Sequence, residues 1–98
     1  MNTVTISIGR GLPTGGDMDD AQWAAFIDGV RRVCQHHGVL FVDAARSIGE
    51  WDGIPEESAT FVVGEVRRPK ALSDDAAGLG VLYGQEAVAV TTGTTVLV

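Results

Sequence analysis

His36 and His37 are the first residues to test for chemistry, because imidazoles bind metals and move protons near neutral pH. Neighbours on a helix point about 100° apart, so the pair cannot easily share an ion. Only Cys34 lies near them as a further ligand type. A cationic pair at a helix C-terminus, where the dipole favours positive charge, is the preferred reading, and no metal is assigned. Cys34 is the single cysteine, which excludes an internal disulfide. It shares an apolar stripe with Val30, so it reads as a small core hydrophobe and not as a nucleophile. Gly9-Arg10-Gly11 and Gly15-Gly16 suggest an anion loop feeding a helix N-terminus. Asp17, Asp19 and Asp20 would repel a phosphate there, and the spacing fits neither the Walker nor the dinucleotide fingerprint. Glu56 and Glu57 alternate faces of a strand, cannot aim at one substrate, and read as solvated strand-start charges. No catalytic residue and no cofactor are assigned.

The elements that must carry these residues follow from periodicity. Val4, Ile6 and Ile8 alternate with polar neighbours and predict a half-buried strand from Thr3. Asp17 is the expected N-cap of a helix over Met18 to His37, whose apolar face holds Trp23, Phe26, Ile27, Val30, Val33 and Cys34. Gly38 is expected to close it in the left-handed conformation. Val39 to Ala44 predicts a second strand, Ser47 to Pro55 a connection, and Ser58 to Val66 a third strand. Leu72, Ala76, Leu79 and Tyr83 mark a second helix beginning near Pro69, weakened by Gly78 and Gly80, with Gly84 suited to its end. Ala87 to Val90 is the fourth strand, with a bulge or bend at Gly93; a separate fifth strand over Thr94 to Val98 is left open.

That order predicts one α+β domain over residues 1–98, ferredoxin-like β-α-β-β-α-β, with two helices on one face of a four-stranded, mainly antiparallel sheet. Right-handed crossovers give the strand order 4-1-3-2. The loop after the first strand, the connection between the second and third, and the turn after the second helix then share one end. That end gathers Arg10, Glu50, Trp51, Asp52, Tyr83, Gln85 and Glu86 as the expected binding site, and Trp51 in its loop is the recognition anchor. The competing reading makes Trp51 a lid on the core and pairs Arg10 with Glu50. His36, His37, Arg67 and Arg68 fall at the opposite end.

Ninety-eight residues of 45% hydrophobic and 20% charged composition suffice for one ordinary core. Thirteen acids against seven bases, a net charge of −6, argue against a nucleic-acid partner. No apolar run approaches a membrane span, and the chain is expected to be cytoplasmic. Its single lysine, Lys70, against six arginines suits a GC-rich source such as actinobacteria and their phages.

Gly9-Arg10, Asp20-Ala21-Gln22-Trp23-Ala24-Ala25-Phe26, Val42-Asp43-Ala44, Gly49-Glu50-Trp51, Glu57-Ser58 and Tyr83-Gly84-Gln85-Glu86-Ala87-Val88 together resemble a family of small bacterial and actinobacteriophage proteins catalogued only as a domain of unknown function. Glu50 departs from that family's usual Gly-Gln-Trp, and the segment before the last strand is shorter here. The resemblance implies the fold and brings no activity. Acylphosphatases share this fold, but their loop pattern and catalytic asparagine are missing, since Asn2 is the sole asparagine; the N-terminal proline of tautomerases is missing too.

Three functions stay open. The preferred one is a small soluble binding or protein-interaction module of phage or mobile-element origin, not an enzyme, acting on a host protein. The others are a small enzyme of the dimeric α+β barrel type, with a cavity between helices and sheet, and a purely structural homo-oligomer. Apolar residues on both sides of strands two and three (Leu40, Val42 and Ala44 against Val39 and Phe41; Ala59, Phe61 and Val63 against Thr60 and Val62) predict self-association, most simply as a homodimer.

Overall fold

Val4, Ile6 and Ile8 are buried while Thr5 and Ser7 between them are not, and this alternation forms β1 (Asn2–Gly9) in the computed structural model. The structure describes residues 1–39, 42–51, 53–96 and 98. After β1 come α1 (Asp20–His37), β2 (Val42–Trp51), β3 (Ile54–Gly64), α2 (Pro69–Leu82) and β4 (Ala89–Thr94). The sheet order is β2-β3-β1-β4 and every neighbouring pair is antiparallel, so the chain has the ferredoxin-like α+β fold. Trp23, Phe26, Val30 and Cys34 of α1 and Leu72 and Ala76 of α2 pack with Val4, Ile6, Phe61 and Val63 of the sheet in one core.

The helix ends differ from expectation. Asp19, not Asp17, caps α1, in a reciprocal box where its side chain accepts the Gln22 amide at 2.7 Å and the Gln22 side chain accepts the Asp19 amide at 3.1 Å. Asp17 is committed elsewhere, bridging back to Gly11. Gly38 is extended (φ −83°, ψ 140°), because the chain turns straight into a bridge with Val66. Gly84, at φ 74°, does end α2 in the left-handed region.

The largest correction concerns residues 47–55. They are not a connection: β2 and β3 form one long hairpin, paired from Val42↔Val63 to Trp51↔Ile54 and turned by Gly53 at φ 78°. β1 ends at Gly9↔Ser58, so the last pairs of the hairpin project past the sheet. Ile48, Gly49, Glu50 and Pro55 are exposed there, so that stretch needs no apolar alternation, which is why Gly49, Glu50 and Pro55 disguised it. Asp-Gly is a strong two-residue hairpin turn, and Asp52-Gly53 was the overlooked signal.

At the other edge, β4 runs unbroken through Gly93, which pairs with Thr3 without a bulge. Thr95, Val96 and Val98 belong to no strand. Of the two-sided apolar set, Ala59, Phe61 and Val63 are buried, Ala44 packs on the core, and Thr60 and Val62 lie half-buried on the outer sheet face. Leu40 and Phe41 lie outside the described residues, and Val39 is exposed. No helix among the described residues is long and apolar enough to cross a membrane.

Candidate functional site

Arg10 leaves β1 on the core side and closes the following loop. Its Nε donates to the Met18 carbonyl at 2.8 Å, Nη2 to Asp20 at 2.6 Å and Nη1 to Glu57 at 3.3 Å. The Asp20 hydrogen bond raises the Arg10 pKa, with burial opposing and Glu57 adding to the effect. Arg10 therefore does not pair with Glu50. Glu50 stands opposite Pro55, about 10 Å further along the ladder than the Ser58 level where β1 stops.

Glu56 works from the other face of β3. Its Oε1 accepts the Gly11 amide at 2.9 Å, and a Cβ on either Gly9 or Gly11 would collide with that carboxylate. Glu56 and Glu57 do alternate faces, as expected, but they are not free solvated charges. One holds the Gly9–Gly11 backbone from the outer face, and the other holds Arg10 from the inner face. Two further contacts finish the loop: Gln85 donates to the Gly11 carbonyl at 3.1 Å, and the Leu12–Gly15 turn returns through Gly15 and Gly16, both at positive φ in open space.

Between this loop, the foot of β3 and the residues preceding β4 lies an open groove of about 1030 Å³. Ile8, Leu12, Pro13, Pro55, Ala87 and Val88 give it apolar walls. Asp17, Glu56 and Glu86 give it three carboxylates, and no Arg, Lys or His is among its lining residues. Ser7, Gly9, Ser58 and Ala89 also line it; they alternate with core-facing neighbours, so the groove opens onto the outer face of the sheet. It suits a molecule with an apolar body and a positive charge.

The expected site residues are only partly brought together. Gln85 and Glu86 line the groove, and Arg10 braces its loop from behind. Tyr83 stacks on Phe26 with ring centres 4.8 Å apart, covering the core. Glu50 is exposed near the hairpin tip, Trp51 ends β2, and Asp52 lies outside the described residues. Asp17, Glu56 and the paired glycines, which the sequence reading weighed and left out of the site, line the groove as well. Register brings them together, since Gly9 pairs with Ser58, two residues from Glu56 on the same face.

The opposite end does gather His36, His37, Arg67 and Arg68, with Gly38 and Val66 bridged between them. His37 meets Asp75 at 2.6 Å and the His36 ring edge-on. Among the described residues, no group of three or more His, Cys, Asp or Glu could hold a metal ion. Burial pushes the Cys34 thiol up to about 11, the behaviour of a core residue.

No family model matches the chain, and no curated protein matches it. Among solved structures the chain is similar to a phage SAM lyase in complex with S-methyl-5'-thioadenosine. The TM-score is 0.53 at 16% identity, over 94% of this chain and 79% of that one. The likeness is one of fold.

Proposed function

We propose that the chain is a small ligand-binding module, of phage or mobile-element origin, whose groove takes a nucleoside-sized organic cation. S-adenosylmethionine is the first compound to test. The observation that carries this reading is the groove itself: apolar walls, three carboxylates and no lining cation, built around a loop locked by Glu56, Gln85 and Arg10. A sulfonium with a purine body matches such walls and such charge, whereas a nucleotide phosphate is repelled. The fold neighbour, held with a thioether nucleoside, supports the same ligand class, and its phage source suits the proposed origin.

Calorimetric titration tests it. S-adenosylmethionine should bind, uncharged S-methyl-5'-thioadenosine should bind more weakly, and ATP should not bind. At one hundred times its Kd the ligand adds about 2.7 kcal/mol of stability, a rise of about 10 °C or more in Tm for a chain of this size. Glu86→Gln, which removes a lining charge with no hydrogen bond or ion pair among the described residues, should weaken the sulfonium and leave the neutral thioether unchanged. Equal affinity for the sulfonium, the thioether and ATP would refute the reading.

A second reading, turnover of the bound ligand, is favoured by the lyase activity of the fold neighbour. Incubating the chain with S-adenosylmethionine and looking for S-methyl-5'-thioadenosine decides between binding and catalysis.

A further inference from the structure

None of the basic side chains lines the groove. Arg31, Arg32, His36 and His37 occupy the second half of α1, and Arg67, Arg68 and Lys70 lie at the start of α2. Arg46 on β2 meets Glu57 at 3.8 Å. Arg10 is flanked by two lining glycines, yet its guanidinium is committed to the Met18 carbonyl, Asp20 and Glu57. The residues outside the described ones, Leu40, Phe41, Asp52 and Leu97, add no base. The loop amides of Gly11, Leu12 and Gly15 are taken as well, donating to Glu56 and to the Gly16 and Leu12 carbonyls. An anion bound in the groove therefore finds no side-chain cation to replace its lost water.

Positive charge meets the reverse situation. Asp17 and Glu86 are exposed and make no hydrogen bond or ion pair among the described residues, and half-buried Glu56 is held in place by the Gly11 amide. These acids bear on the tail of a ligand as well as on its sulfonium. An amino-acid tail carries its ammonium and its carboxylate on one carbon, so the carboxylate follows the ammonium to whichever acid accepts it. There it faces like charge and no partner, which offsets what the ammonium gains. A tail ending in an amine alone keeps the gain and avoids the cost.

We propose that the groove selects a nucleoside sulfonium whose tail ends in an amine and carries no carboxylate. The inference rests on the ligand reading above and narrows its chemical class. The apolar walls take the nucleoside body, and the three acids take two positive charges, the sulfonium and the ammonium. Selection comes as much from the missing base as from the acids present, because a carboxylate or phosphate on the ligand is left unpaired.

Decarboxylated S-adenosylmethionine is the probe, titrated calorimetrically beside S-adenosylmethionine itself. The decarboxylated compound should bind about fivefold more tightly or better in low salt. The ratio should shrink towards one near 1 M salt, where charges are screened within about 3 Å. Glu86→Arg supplies the missing partner and should bring the two affinities together or reverse their order. Asp17→Arg repeats the test should Glu86→Arg fail to fold, with near-UV circular dichroism reporting the fold of each. Spermidine, an aliphatic amine without a ring, should bind about tenfold more weakly than the decarboxylated sulfonium, since it brings no apolar body. Equal affinity for spermidine would reveal a general acidic field and overturn the selection. S-adenosylmethionine binding as tightly as its decarboxylated form in low salt, or a preference that both arginine variants leave unchanged, would overturn it too, with the sulfonium reading left standing. Failure of both sulfoniums to bind would discard that reading and this inference together.

Discussion

Gly9 has no side chain because the Glu56 carboxylate occupies the space a Cβ would need, and the same carboxylate secures the Gly11 amide. The two residues are thus energetically coupled, which a double-mutant cycle can measure. Gly9→Ala should displace Glu56, break its bond to Gly11 and cost about 1–2 kcal/mol in urea denaturation. The same change in a Glu56→Ala background should cost close to nothing. Equal costs in both backgrounds would show that the glycine serves some other purpose. This coupling was hidden in the sequence because two adjacent glutamates before a strand look alike in one dimension. Only the register of β1 on β3 reveals that one grips the loop from outside and the other from inside. Cys34 was readable for the opposite reason: its place on the apolar stripe of α1 already determined its surroundings.

Gly78 and Gly80 lie two residues apart in α2 and look equally unfavourable for a helix, yet their surroundings differ. A Cβ on Gly78 meets nothing within 4 Å, whereas one on Gly80 lies 2.7 Å from Val88 Cγ2. Gly78→Ala should therefore stabilise the protein by up to about 1 kcal/mol through helix propensity alone. Gly80→Ala gains the same propensity but forces α2 away from the approach to β4, at an overpacking cost of about 1–3 kcal/mol. Thermal melts should rank Gly78→Ala above wild type and Gly80→Ala at least 1 kcal/mol below Gly78→Ala. The order of strands and helices was legible because the apolar stripes of β1 and α1 change period so plainly. The hairpin beyond Ser58 was not, since outside the core a strand is held by its ladder and turn, not by hydrophobic pattern.

For the molecule as a whole, the buried Cys34 thiol links stability to alkaline pH. Burial raises the folded-state pKa from the ordinary 9.0 to about 11, so between those values the unfolded chain loses the proton and the folded chain keeps it. The stability is fully present below about pH 9 and is lost as pH rises towards 11. Urea midpoints followed across that window should fall, and Cys34→Ala should remove part of the fall. A wild-type slope that the substitution leaves intact would assign the loss to other groups. The edges of the sheet set a second whole-molecule property. β4 pairs only with β1, and of its six residues only Val90 is better than exposed. Its partner is about ninety residues away at the far pair, Asn2↔Thr94, so β4 is the last strand topology allows to dock and the first to leave. Amide protons of β4 should exchange faster than those of β1 and β3, and mass spectrometry of deuterated peptides can rank them. Because Ala89 of β4 forms part of the groove wall, such fraying would act as a door, and ligand capture would slow exchange along the whole strand.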